Sequence, residues 1–168
     1  GISDYDKAIE LNPKEAKFYN LRGDAKMPLN AKGAITDYDK AIELNPKDVD
    51  TYIRRGYAKM ISARNKKEGI SDYAKAIKFN PSDSAAFYYR GGSAHRLEKF
   101  HREMIENKPG DYSGAISDYT KALEINPKSY QAYKNRGVAK IGAYNKKGAI
   151  ADLDKAIELN PKDAKAYY

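Results

Sequence analysis

The sequence of 168 residues contains no cysteine. Disulfides, thiolate nucleophiles and cysteine-ligated metal sites are therefore excluded, and the redox environment is left open. Histidine is almost as scarce, with only His95 and His101. A Cys–His pair cannot exist, and a Ser-His-Asp triad has little to draw on. His95 and His101 stand six apart, about 240° around a helix, so they share no face for a metal. Glu98 lies three residues from each, but no fourth ligand converges with them. The longest apolar runs are only a few residues, too short to cross a membrane. No glycine-rich phosphate loop is present, because the recurring glycines stand singly inside helical patterns. These absences predict no catalysis, no cofactor and no metal.

Charge is not lacking. Thirty-one basic residues face 23 acidic ones, a formal net charge of +8. Such a balance can steer a protein toward acidic partners. The lysines fall into separate rows, however. Lys7, Lys40, Lys75, Lys121 and Lys155 each follow an Asp by three residues, a spacing that permits ion pairs. Lys14, Lys47, Lys128 and Lys162 follow prolines, and Arg64, Lys66, Lys67, Lys146 and Lys147 cluster at turns. No single basic stripe interleaved with aromatics results, so nucleic acid is not the expected partner. The opening Gly1-Ile2-Ser3-Asp4 is amphipathic and acidic, unlike a signal peptide.

What dominates is repetition. Asn-Pro recurs at Asn12-Pro13, Asn45-Pro46, Asn80-Pro81, Asn126-Pro127 and Asn160-Pro161, with proline spacings of 33, 35, 46 and 34 residues. Nearly one phrase precedes each pair: SDYDKAIELNP, TDYDKAIELNP, SDYAKAIKFNP, SDYTKALEINP and ADLDKAIELNP. A second pattern ending in Arg-Gly follows each of the first four. Periods of this length mark helical repeat arrays.

Each phrase reads as a helix. Ala34, Ile35, Tyr38, Ala41, Ile42 and Leu44 follow helical spacing and form one stripe. Pro46 cannot enter a helix interior and turns Asn45 away from helical dihedrals, so the helix stops there. Asp48, Asp83, Ser129 and Asp163 are suited to starting the next one. Gly23, Gly56, Gly91 and Gly137 recur inside first helices, where Gly costs about 1 kcal/mol relative to Ala. A penalty repeated at one register implies close helix contact, with Ala8, Ala41, Ala76, Ala122 and Ala156 expected opposite. Helices are expected over 2–11, 15–28, 32–44, 48–63, 67–79, 83–106, 112–125, 129–142 and 147–159, with a stub from 163.

The chain resembles the tetratricopeptide-repeat family over about nine-tenths of its length. The matching residues are Tyr19, Tyr52, Phe87, Tyr133 and Tyr167, the Gly four residues after each of the first four, and Ala34, Ala115 and Ala149 opening second helices. Tyr38, Tyr73 and Tyr119 and the closing Ala and Pro complete the pattern. The resemblance implies an all-α, right-handed superhelical solenoid of antiparallel hairpins. Residues 1–13 would be the second helix of a partial repeat. Full repeats would occupy 14–46, 47–81, 82–127 and 128–161, and 162–168 would begin another. Both ends are open, as in a stretch of a longer array. One departure stands out: where the family usually has leucine before the Gly, this chain has Arg22, Arg55, Arg90 and Arg136. Asp4, Asp37, Asp72, Asp118 and Asp152 recur as strictly, so bidentate Arg–Asp pairs are expected between the rows.

In this family the first helices line a concave groove that grips peptides or partner helices. Carried over by register, that groove would hold Lys17, Asn20, Asp24 and Met27, then Asp50, Ile53, Tyr57 and Met60. It would continue with Ala85, Tyr88, Gly92 and His95, then Gln131, Lys134, Val138 and Ile141. Ile53, Tyr57, Met60 and Tyr88 offer the apolar and aromatic contact enriched at hot spots. Chaperone-binding members clamp a carboxylate with Lys and Asn; here the matching positions offer Asn20, Asp24, Arg54, Ala85 and Tyr89, which disfavours that subtype.

The third repeat is about a dozen residues longer than its neighbours, and the excess falls in 96–109. RLEKFHREMIENK is compatible with helix, with Leu97, Phe100, Met104 and Ile105 on one stripe and Glu98–Arg102 as a favourable pair. A helical extension of 12 residues would project by about 18 Å. Leu97, Phe100 and Met104 are then candidate contact residues. The function expected is a protein-interaction scaffold taking a peptide or partner segment in the groove. The alternative is a structural unit that self-associates through its open ends or the projecting insertion.

Overall fold

A computed structural model of the chain describes residues 1–62, 66–104 and 111–162 and, within them, every side chain except those of 100–104. The described residues are helical, without a strand. In chain order the helices are α1 (Ile2–Leu11), α2 (Ala16–Lys26), α3 (Ala31–Leu44), α4 (Val49–Ile61), α5 (Lys66–Phe79), α6 (Ser84–Met104), α7 (Ser113–Ile125), α8 (Tyr130–Gly142) and α9 (Lys146–Leu159). Each bound lies within two residues of the expected one; the expected stub from 163 lies outside the described residues.

The chain forms two compact units, Gly1–Pro81 and Ser82–Tyr168. In the first, α2 pairs with α3 and α4 with α5, while α1 packs on α2 and α3 on α4. In the second, α6 pairs with α7, α8 with α9, and α7 packs on α8. This is the all-α architecture of solenoids built from stacked hairpins.

Local chemistry explains where the helices begin and end. Asn30 and Asn145 cap α3 and α9, their side-chain carbonyls accepting from the Gly33 and Gly148 amides at 2.9 Å. The Asp83 carboxylate accepts from the Ala85 and Ala86 amides at the start of α6. At the other end, the Asn12, Asn45, Asn80, Asn126 and Asn160 amides close the last turns on the alanine carbonyls four residues back. Proline then removes the donor that would continue the helix. The Tyr19 and Tyr52 hydroxyls donate to the Pro13 and Pro46 carbonyls at 3.0 and 3.2 Å, which ties each turn to the helix that follows.

The core is tyrosine and alanine. Tyr38, Tyr73 and Tyr119 are each 1% exposed, although their phenols are among the largest groups in the chain. The glycines of the first helices make room for these rings. A Cβ on Gly23 would stand 2.6 Å from Tyr38 Cε1, and one on Gly56 would stand 2.8 Å from Tyr73 Cε1. Opposite Gly137 the neighbours are the Leu153 side chain and the Ala149 carbonyl. The expected partners, the alanine row at 8, 41, 76, 122 and 156, are not the nearest neighbours of these glycines. An antiparallel hairpin sets the middle of its first helix against the start of its second. The alanines lie seven residues, about 10 Å, further along.

Candidate docking surfaces on the first helices

The surfaces are held rigid by a repeated ionic clamp. Arg22 binds Asp37 through Nε and Nη2 at 3.1 and 2.6 Å. The same fork joins Arg55 to Asp72 (2.9 and 2.6 Å), Arg90 to Asp118 (2.9 and 2.7 Å) and Arg136 to Asp152 (2.8 and 2.7 Å). Each guanidinium also lies 5.5–5.7 Å from the centroid of an aromatic ring one turn earlier, Tyr19, Tyr52, Phe87 or Tyr133. In three repeats the remaining nitrogen reaches the preceding second helix, at Asp6, Asp39 or Thr120. One side chain thereby fastens three helices, which explains polar residues in a row where leucine would fill space alone. Asp4, the remaining member of the Asp row, instead pairs with the amino terminus of Gly1.

A second cation was not anticipated from the sequence. Lys26, Lys59 and Lys140 bind the same carboxylates, Asp37, Asp72 and Asp152, at 2.8, 3.0 and 2.7 Å. Their recurrence four residues after each Arg was the available signal. The third repeat has Ala94 at that register. Burial alone would raise the Asp152 pKa, but hydrogen bonds from Arg136 and Lys140 outweigh it and hold the carboxyl below its ordinary value. The Arg22 pKa is pushed above its usual range, chiefly by its hydrogen bond with Asp37.

On the first unit, Asn20 works between helices. Its amide donates to Thr51 Oγ1 at 2.7 Å and Asp48 Oδ2 at 3.2 Å, while the Thr51 hydroxyl donates to the same Asp48 oxygen at 2.6 Å. Asn20 Oδ1 is a buried acceptor with no donor among the described residues. Ile53 is half-buried and Tyr57 is 37% exposed. Tyr57 borders a cleft of about 150 Å³ with Asp24, Met27, Pro28, Tyr38 and Arg54. There the Tyr38 hydroxyl donates to Asp24 Oδ1 at 2.8 Å, and Arg54 pairs with the other oxygen. Met60 departs from expectation. It is 5% exposed, and a Cβ on Gly69 would lie 3.0 Å from its Cγ, so it fills the α4–α5 hairpin and is not groove-facing. Gly56 and Gly69 draw the two helices together, and the flexible thioether takes up the irregular gap that remains.

On the second unit, α6, α7 and α8 border a cleft of about 340 Å³ whose walls include Ala85, Tyr88, Tyr89, Ser129 and Gln131. Tyr88 packs edge-on to Tyr89 at 5.4 Å and tilted over Tyr119 at 5.9 Å. Its hydroxyl oxygen accepts from Asn135 Nδ2 at 3.0 Å. His95 stands edge-on to buried Tyr112 at 5.3 Å and is half-buried, so it packs. Lys134 Nζ lies 5.7 Å from the Tyr130 ring centroid. Val138 and Ile141 on α8 are 44% and 52% exposed.

The long repeat continues as helix. α6 has 21 residues against 11 in α2 and 13 each in α4 and α8, so the extension is helical at least to Met104. Leu97 is half-buried, and Glu98 Oε1 accepts from the Asp111 amide at 2.8 Å, anchoring the returning chain. The side chains of Phe100 and Met104 lie outside those described. Among the described residues no cluster of His, Asp or Glu could hold a metal ion, and no helix is long and apolar enough to cross a membrane.

A family model described as Tetratricopeptide repeat matches residues 108–164. No curated protein matches the sequence significantly. Among solved structures, a crystal structure of MamA is similar at 24% identity with a TM-score of 0.80, covering 98% of this chain and 89% of that one. TTC0263, a TPR protein from Thermus thermophilus, gives 15% identity, a TM-score of 0.74 and coverages of 99% and 84%. YrrB, described as a TPR protein with an unusual peptide-binding site, gives 24% identity, a TM-score of 0.52 and coverages of 99% and 97%. Residues 108–164 are thus similar to tetratricopeptide repeats, and the chain has the fold of tetratricopeptide-repeat proteins.

Proposed function

We propose that this array of tetratricopeptide-type hairpins is a protein-interaction scaffold whose first helices bind a segment of a partner protein. The observation that carries the reading is the placement of apolar and aromatic groups in or beside clefts on those helices. Tyr57 and Tyr89, each 37% exposed, border those clefts, and Val138 and Ile141 are exposed elsewhere on α8. Aromatic side chains beside a concavity are the residues that concentrate binding energy. The polar groups nearby are bound to one another and orient the rings, and no catalytic step is assigned to them. YrrB, of the same fold, is described as having a peptide-binding site. The test is selection from a displayed random peptide library. Replacing Tyr57 and Tyr88 with Ala should weaken selected peptides by about 2 kcal/mol or more at unchanged helicity. Peptides indifferent to both substitutions would move the site elsewhere.

The α6 extension is proposed as a second contact element, through Leu97, Phe100 and Met104. An apolar stripe on a projecting helix needs a surface to cover it. Replacing residues 97–108 with a short turn separates the roles: a shortened protein that folds and keeps its partners makes the extension a bystander. Self-association is the competing reading, favoured by Ile150, 61% exposed on α9. Sedimentation at several concentrations decides it, since a simple binding module remains monomeric.

A further inference from the structure

We propose that α9 of one chain receives α2 of a second copy, which leaves its own α1 to do so, with Asp154 replacing Asp6 as a partner of Arg22. The proposal goes beyond the docking reading, uses none of its clefts and gives self-association its residues. Behind it lies a duplication. Asp4–Lys14, which spans most of α1 and the turn after it, is residue for residue the same as Asp37–Lys47 of α3 and its turn. Asp152–Lys162 differs from both only by Leu153 in place of a tyrosine. A first helix that packs on α1 or α3 therefore finds nearly the same surface on α9.

The chain itself shows what that surface binds. Arg22 Nη1 donates to Asp6 and Arg55 Nη1 to Asp39, both at 2.7 Å, each guanidinium reaching back from the incoming first helix. Thr120 stands at the same register of α7, and Arg136 takes it at 3.0 Å. The isoleucine of the phrase is covered in the same step. Ile35 packs against the cluster that contains Ala58, and Ile116 against the one that contains Ala139, the alanines three residues after Arg55 and Arg136. On α9 both features are open. Asp154 is exposed and has no ion pair among the described residues. Ile150 is 61% exposed, where Ile35 and Ile116 are half-buried. The complement is a helix with an aromatic ring, an Arg one turn later, then Gly and, after one residue, Ala. Tyr19, Arg22, Gly23 and Ala25 of α2 have that order.

Helix α2 is also the one whose present platform is held least. No residue of α1 is buried, against four in α3, five in α7 and three in α9. Helix α9 is fixed to α8 by the clamp of Arg136 and Lys140 on Asp152. Arg22 keeps Asp37 throughout and exchanges only Asp6, so like replaces like while Ile150 is covered. Exchange of an equivalent element brings copies together without new interface chemistry. The two surfaces differ, so the contact is heterologous and builds rings or open chains.

The experiment uses the full chain, read by sedimentation velocity over a range of concentrations. Asp6→Lys and Asp154→Lys reverse the same charge in the same phrase, yet should act in opposite directions. Asp6→Lys expels Arg22 from its own α1 and should raise the association constant by about fivefold, the equivalent of 1 kcal/mol. Asp154→Lys should lower it by as much, and added salt should narrow both effects. The chain has no cysteine, so Ala25→Cys and Ile150→Cys each place a single thiol. Mixed, these two variants should be joined to each other by a short bismaleimide well above the yield with which either joins itself. Circular dichroism confirms folding, and the cross-link carries the test if a Lys variant does not fold. A chain that is monomeric at every concentration overturns the proposal, as do equal shifts from the two reversals or self-linked products alone. Library-selected peptides that depend on Tyr57 and Tyr88, bound by a chain that never associates, would sink this inference and leave the docking reading standing. Association that follows Asp154 while peptides ignore both tyrosines would do the reverse.

Discussion

Arg136 and Asp152 face each other across the α8–α9 hairpin with two parallel hydrogen bonds of 2.8 and 2.7 Å, and Lys140 closes on the same carboxylate from the next turn. The side chains of Arg136, Lys140 and Asp152 are only 15%, 17% and 6% exposed. Removing the carboxylate leaves two poorly solvated cations facing each other. Asp152→Asn is expected to cost about 3 kcal/mol or more, within the range for breaking a buried ion pair from one side. Urea denaturation measures it, and a loss below about 1 kcal/mol would show that the clamp is screened like a surface pair.

The same carboxyl predicts an acid limit. Its folded pKa lies below its ordinary value. The stability it contributes is therefore fully present above the unfolded pKa, near 3.9, and is lost as pH falls from there through the folded value. Asp152→Asn should flatten that part of the curve of unfolding free energy against pH. A variant that loses stability as steeply as the parent between about pH 5 and pH 2 would assign the acid limit to other carboxylates.

At the alkaline end the group is Tyr38. Burial raises its pKa, and its hydrogen bond to Asp24 adds to the effect. Its contribution is present below the unfolded pKa, near 10, and lost as pH rises toward the folded one. Tyr38→Phe should be less stable at neutral pH by about 1 kcal/mol for the lost hydrogen bond, yet less sensitive to alkali. Parallel curves for parent and variant above pH 10 would refute the assignment.

Glycine substitutions should change sign with position. Gly114, near the start of α7, has open space around it, whereas Gly23 faces the Tyr38 ring at 2.6 Å from a would-be Cβ. Gly114→Ala should stabilise by up to about 1 kcal/mol through helix propensity. Gly23→Ala should destabilise by about 1–3 kcal/mol, because overpacking against a buried ring outweighs that gain. Thermal melts of the two variants suffice, and shifts of the same direction would mean that propensity alone governs both.

Tyr144 has a φ of 59° and is 68% exposed at the turn between α8 and α9. A left-handed conformation costs a side chain about 1–2 kcal/mol. Tyr144→Gly should therefore raise stability by about 1 kcal/mol. If the melting temperature falls instead, the ring makes a contact worth more than the strain.

The array was legible in the sequence because its signals are local and repeated. Asn-Pro ends each helix by steric exclusion, and Asp83 and Ser129 start the next by capping. The Tyr–Ala stripe has the helical period. These depend on neighbours within a few residues, so nine helices among the described residues were located without coordinates. The Arg and Asp rows were also visible, since opposite charges that recur strictly at one register point to pairing across the hairpin. What only the tertiary structure decided was which side chains meet across helices. Met60 and Tyr57 are three residues apart on α4; one is sealed against Gly69 and the other borders a cleft, because helix separation and tilt decide which face is covered. Gly23 and Gly56 meet tyrosine rings, not the alanines expected opposite them, for the offset along an antiparallel hairpin is set by packing and not by sequence spacing. Lys59 joins Asp72, and Asn135 turns the Tyr88 oxygen into an occupied acceptor, through contacts spanning 13 and 47 residues. No local pattern encodes such distances; only the folded backbone brings those atoms within reach.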